Sequence, residues 1–273
     1  MGNLIHTKNI RNFINSKIGR DRWPIYSLFL EPLPILAIRN LNEYNDHYTE
    51  KDWHSTFSWD NKTKLRDAIQ TAIPRLQGYG ALRSNEPGGQ RRLQATLKRK
   101  LPKILKRFQS HARRLKIRRL SDIKPNQRQY RDYLIAAANA VGEVSSTVKK
   151  VNTPMIGSKV MHFFLPEFFP IWDTAVVYKK ALKYEKNLSS LPDGTIDNIL
   201  TPAGKSYALY VHLLVTELSQ ASDRQRSQVL KSCIRQCAKE CDVSVSQMWN
   251  VLDFHYDDLW PTVLEICLIG KHH

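Results

Sequence analysis

The sequence predicts a mainly α protein. Two observations lead there. Apolar residues recur at three- and four-residue intervals along most of the chain, and strand-type alternation is scarce. No repeat of solenoid period is present. The chain has 273 residues and a hydrophobic fraction of 42%, ample for a core. We read one helical domain over 1–273, or two helical lobes flanking a cleft near 153–176.

Taken in order, Phe13, Ile14 and Ile18 form a first helix face. Residues 23–34 are aromatic and punctuated by Pro24, Pro32 and Pro34. Tyr44, Tyr48, Trp53, His54, Phe57 and Trp59 follow, interleaved with polar residues. Such aromatics either pack an outer layer or stack on exposed bases. Residues 62–76 predict a helix with Leu65, Ala68, Ile69 and Ala72 inward. Gly78–Gly80 and Glu86–Gly89 mark loops. From Gln127 to Val151 the spacing of Tyr130, Tyr133, Leu134, Ala137, Ala138 and Val141 predicts a helix or pair, interrupted at Gly142. Residues 187–202 read as a loop. Residues 203–220, 223–240 and 246–256 read as helices, with a closing helix around Val263–Leu268.

Residues 91–119 contain thirteen Lys or Arg and no Asp or Glu. Leu93, Leu97, Leu101, Ile104, Leu105, Phe108, Ala112 and Leu115 recur at helical spacing through the run. The pattern predicts one or two amphipathic helices with a basic outer face, and Pro102 near a helix start or a kink. A row of like charges repels itself unless counter-ions arrive, and phosphates supply them. The whole chain carries a formal net charge of +17, from 42 Lys+Arg against 25 Asp+Glu. Double-stranded DNA is therefore the expected partner, with Arg91, Arg92, Lys98, Arg99, Lys103, Lys106, Arg107, Arg113 and Arg114 on its backbone. A helix lying on an anionic membrane surface is the competing reading. No run approaches transmembrane length, and the first residues lack an apolar signal core. We expect a cytoplasmic monomer that does not enter membranes.

The stretch from Thr153 to Val176 is the most informative. Pro154-Met155-Ile156-Gly157-Ser158-Lys159 predicts a turn between helices, with Gly157 supplying backbone freedom and Ser158 capping a helix that starts near Lys159. Val160, Phe163 and Phe164 give that helix a face to bury, and Pro166 and Pro170 stop it. A short extended segment then leads to Asp173, a candidate cap for the helix that follows. Free amides of Gly157 and Ser158 would point at an anion such as a DNA phosphate.

This layout resembles the helix-hairpin-helix DNA glycosylases, whose pattern is roughly Pro-Gly-Val-Gly-x-Lys, a helix, then Pro-Val-Asp. Here Pro154–Lys159 matches the first part and Pro170-Ile171-Trp172-Asp173 the second. Met155 replaces the first hairpin glycine, one extra residue separates Pro170 from Asp173, and the intervening segment is shorter than the family's. The resemblance implies a DNA-binding hydrolase for base excision that flips a damaged or modified base and cleaves its N-glycosidic bond. Antiviral defence against phage DNA carrying modified cytosines is one setting it implies.

In that resemblance Asp173 stabilises the positive charge that builds on the sugar. Lys159 either contacts phosphate or attacks the sugar to form a Schiff base, which would add AP-lyase activity. Trp172, Phe169 and His162 border the base pocket or pack in the core. No cofactor is expected. Cys233, Cys237 and Cys241 share a helix face and Cys267 could join them, but one straight helix spreads the three over two turns, too far for one zinc, so buried free thiols are a better account than a zinc or iron–sulfur site. No metal site is assigned. Two alternatives stay open: a non-catalytic DNA-binding protein, and a metal-dependent nuclease using Asp253, Asp257 and Asp258.

Overall fold

A computed structural model of the chain describes residues 4–40, 59, 62–78, 89–148, 154–172, 200–256 and 258–272. Among them are eleven α-helices and no strand, in line with the mainly α reading. The first five are α1 (Thr7–Asn15), α2 (Ile25–Leu30), α3 (Leu33–Asn40), α4 (Lys62–Gly78) and α5 (Gly89–Arg114). After a 3-10 turn at Leu120–Asp122 come α6 (Arg128–Val148) and α7 (Met155–Phe164). The C-terminal part holds α8 (Pro202–Gln220), α9 (Asp223–Glu240), α10 (Val245–His255) and α11 (Trp260–Lys271).

Helix starts follow local chemistry where side chains cap them. Thr201 accepts from the Gly204 amide at the head of α8. Ser222 with Gln225, and Ser244 with Gln247, close capping boxes at α9 and α10. These three helices start within a residue or so of their predicted positions. Elsewhere the structure departs from expectation. The basic run is one continuous helix through Pro102, and it ends at Arg114, five residues before the run does. Gly142 sits inside α6 and does not interrupt it.

One hydrophobic cluster runs from Leu4 to Ile269. Helix α6 lies at its centre, packed by α5, α7 and α8, and buries Tyr133, Leu134, Ala137, Ala138, Val141 and Val144. Helix α11 is buried on all sides from Pro261 to Gly270, with Thr262 and Glu265 enclosed among its mostly apolar residues. It packs on α1 so closely that a Cβ on Gly270 would stand 1.8 Å from the Asn9 carbonyl oxygen. The two ends of the described chain therefore share one core.

Candidate nucleic-acid interface and the buried 154–172 segment

Helix α5 has 26 residues, a length of about 39 Å at the usual rise per residue. Its Leu97, Leu101, Ile104, Leu105, Phe108 and Ala112 are buried against the core. Arg91, Lys98, Arg99, Lys103, Lys106, Arg107, Arg113 and Arg114 are all exposed, as is Lys100, while the Arg92 side chain lies outside the described set. The apolar and basic residues occupy complementary arcs of the helix, so cations run along its solvent side from end to end. Arg107 is paired with Glu143 on α6, and Arg114 donates to His111 Nδ1 at 2.8 Å. Both arginines keep exposed surface. An ion pair at this exposure contributes little stability, so the charge is not spent on holding the fold. The result is a basic rod longer than one turn of duplex DNA, suited to phosphate contact.

The motif stretch behaves in the opposite way. Helix α7 starts at Met155, with Pro154 at its head, so Gly157, Ser158 and Lys159 lie inside the helix. Proline has no N–H to leave unsatisfied, which lets it open the helix earlier than the predicted Ser158 cap. Ser158 is fully buried. Its hydroxyl donates to the Met155 carbonyl and accepts from the Trp172 amide at 2.9 Å. The Gly157 amide donates to Ser145 Oγ at 3.1 Å, and the Ser158 amide to the Pro154 carbonyl at 2.8 Å. These two amides are thus used within the protein. The expected phosphate contact at Gly157 and Ser158 gives way to an internal helix crossing. Gly157 serves close packing: a Cβ there would stand 2.1 Å from the Val141 carbonyl oxygen of α6.

Lys159 is 5% exposed, and its Nζ sits 5.0 Å from the centre of the Trp23 ring. A cation over an indole face is a favourable placement for a charge taken out of water. His162, Phe169 and Trp172, expected at a base pocket, are enclosed in the core. Phe169 packs on Phe108 of α5, and Trp172 meets Tyr210 edge-on. The physical reason is composition. Most residues from Ile156 to Ile171 are apolar, and burying them carries their polar neighbours inside.

Residues 165–172 form an irregular segment, buried at every position. Buried backbone without helix or sheet must find other hydrogen-bond partners. It finds them one carbonyl at a time. Tyr133 Oη donates to Phe168 O at 2.9 Å, the His162 ring to Phe169 O at 2.7 Å, Tyr207 Oη to Pro170 O at 2.9 Å and Tyr210 Oη to Ile171 O at 2.9 Å. Four consecutive carbonyls are thus satisfied by side chains of three helices. Because a carbonyl only accepts, the His162 proton resides on Nδ1. Burial pushes that imidazole pKa down to about 4, against the Phe169 hydrogen bond, which raises it. Burial likewise drives the phenol pKa values of Tyr133 and Tyr207 well above the ordinary range, so both remain donors.

Charge anchors the segment from the other side. Arg39 Nη1 donates to Glu167 Oε1 at 2.8 Å, with both side chains buried. Trp59 is buried and its Nε1 donates to the Phe164 carbonyl at 3.0 Å, which makes it core and removes it from the base-stacking set. The other aromatics of 44–57, and Asp173 itself with the helix and loop expected after it, lie outside the described residues. Sequence reasoning missed Tyr133, Tyr207, Tyr210, Ser145, Arg39 and Glu167 as parts of this site. One signal was present: Tyr207 and Tyr210 share an inner face, and a buried Tyr needs a partner for its hydroxyl.

The four thiols are free. Cys233, Cys237 and Cys267 are buried and Cys241 is half-buried. Burial raises the pKa of each, that of Cys267 to about 12. Among the described residues, no three His, Cys, Asp or Glu side chains come together as a metal site, and Asp257 lies outside that set. Among the same residues no helix is long and apolar enough to cross a membrane. No protein-family model, curated protein or solved structure matches the chain.

Proposed function

We propose that this chain binds double-stranded DNA along the basic face of α5 and excises a base from it, with Asp173 as the group that stabilises the sugar's developing charge. The observation that carries the binding step is the row of exposed cations on α5, with no acid in the helix. The excision step rests on the resemblance of the 154–173 stretch to the helix-hairpin-helix glycosylases. It gains support from the buried 165–172 segment. Holding four successive carbonyls in place fixes where the chain stands at Trp172, one residue before Asp173, and fixed geometry is what charge stabilisation requires. The placement of Lys159 beneath Trp23 favours hydrolysis without a Schiff base, because the amine would have to leave the core to reach a sugar.

The test is incubation in EDTA with duplex DNAs, including phage DNA with modified cytosines, followed by a probe for abasic sites. The proposal expects abasic sites that vanish in Asp173→Asn, and no borohydride-trapped adduct. A second reading, DNA binding without catalysis, is favoured by the enclosure of His162, Phe169 and Trp172. Salt-sensitive duplex binding with no abasic site on any substrate would select it.

A further inference from the structure

A cleft of about 250 Å³ opens between the 3-10 turn, α9, α10 and the head of α11. Its walls carry two indoles, Trp249 and Trp260, and two carboxylates, Asp253 and Asp258, with Arg119 and Leu230 beside them. Nothing in the proposed handling of DNA uses it.

The chemistry of these walls is unusual for this chain. On a protein with 42 Lys+Arg against 25 Asp+Glu, the cleft concentrates acids. Arg119, the cation on this lining, has its Nε on Asp122 Oδ1 at 3.0 Å, and its charge also acts on Asp258. Asp258 is buried and held rigid. Its Oδ2 accepts from the Ser121 amide at 2.9 Å and its Oδ1 from the Trp260 amide at 3.0 Å. Asp253 is exposed. Aromatic faces beside carboxylates attract an organic cation, through the ring quadrupole and through charge. An anionic phosphate is disfavoured by the same carboxylates.

Size and surroundings narrow the ligand. Drug-sized ligands occupy pockets of roughly 300–1,000 Å³, and this cleft falls below that range. It suits a single side chain. Next to it α10 shows a stripe at successive turns: Val245, Trp249 and Asp253, the first two 47% and 39% exposed. Only Met248 and Leu252 of α10 are buried, so the helix leaves apolar and aromatic surface in water. An apolar surface beside a cation-seeking cleft fits a protein partner.

We propose that this cleft is a docking site for a protein segment that inserts an arginine or lysine side chain between Trp249 and Trp260, against Asp253 and Asp258, and lays a neighbouring apolar residue on Val245. The proposal is independent of the DNA-binding reading.

The test is titration of the ¹⁵N-labelled full chain with N-acetyl-arginine amide, its neutral isostere N-acetyl-citrulline amide, and cytidine monophosphate. The readout is the indole N–H signals of Trp249 and Trp260. The arginine probe is expected to shift both signals in the millimolar range, with citrulline about tenfold weaker or worse. Asp253→Asn, at an exposed position that does not endanger folding, should weaken the arginine probe about tenfold and leave duplex DNA affinity unchanged. Equal shifts from citrulline, no indole shift by the arginine probe, or shifts from the nucleotide alone would each overturn the proposal. The last would make the cleft a nucleobase site.

Discussion

Helices α5 and α7 pack against the same central helix and carry lysines in both cases, yet one faces water and the other is enclosed. The difference lies in what surrounds the charges. Along α5 the apolar residues keep to one arc, so the helix buries six of them and still exposes its cations. Along α7 the apolar residues surround Lys159, and burial of Ile156, Val160, Phe163 and Phe164 takes the lysine inside with them. A basic pattern with a clean apolar arc predicts an interface. A lysine inside an apolar run predicts a place in the framework, whatever chemistry its residue type suggests.

The sharpest way to break this contrast is at the α6–α7 crossing. Gly157→Val would place side-chain atoms where a Cβ alone meets the Val141 carbonyl at 2.1 Å. We expect a stability loss of about 3 kcal/mol or more, read as a lowered midpoint in chemical denaturation. If Gly157 were an exposed turn residue, the loss would be under about 1 kcal/mol.

The buried carbonyl ladder gives the next effect. Tyr207→Phe and Tyr210→Phe each leave one buried carbonyl without its donor, at a cost of about 1–3 kcal/mol. Because the two hydroxyls serve adjacent carbonyls, the double variant should depart from additivity. A change within experimental error for both variants would mean that the segment is not held as described.

His162 contributes a pH dependence of definite sign. Its pKa is 6.5 when unfolded and about 4 when folded, so the native state prefers it neutral. Its contribution is complete above pH 6.5 and is lost as the pH falls toward 4, at most about 3 kcal/mol. Asp258 works the other way. Burial lifts its pKa from 3.8 to about 6, so its penalty is complete above pH 6 and is relieved as the pH falls. The clean observable is a difference between proteins. His162→Gln, which retains a donor for the Phe169 carbonyl, should lose less stability than the parent between pH 6.5 and 4. Parallel stability curves would show that His162 is not buried neutral.

Much of the fold was legible because helical periodicity and capping are local. Ser222 with Gln225 and Ser244 with Gln247 announce α9 and α10 within four residues. The site was legible only in part. The exposed face of α5 follows from one helix's own sequence. The ladder on residues 168–171 joins Tyr133, His162, Tyr207 and Tyr210, up to 39 positions away, and no local pattern encodes such a pairing. Pro154 shifted the start of α7, and with it Ser158 went from cap to buried bridge. The cleft beside Trp249 unites four elements and has no signature in any one of them.

The smallest effect on stability should come with the largest on binding. Replacing Lys98, Arg99, Lys103 and Lys106 by Gln touches only exposed side chains, each within about 0.5 kcal/mol of neutral for folding. The decisive measurement is the affinity of this variant and the parent for duplex DNA across a series of salt concentrations. Binding should be weaker in the variant, with a salt slope shallower by about one for each phosphate it no longer neutralises. An unchanged affinity and slope would show that α5 is not the DNA-binding surface.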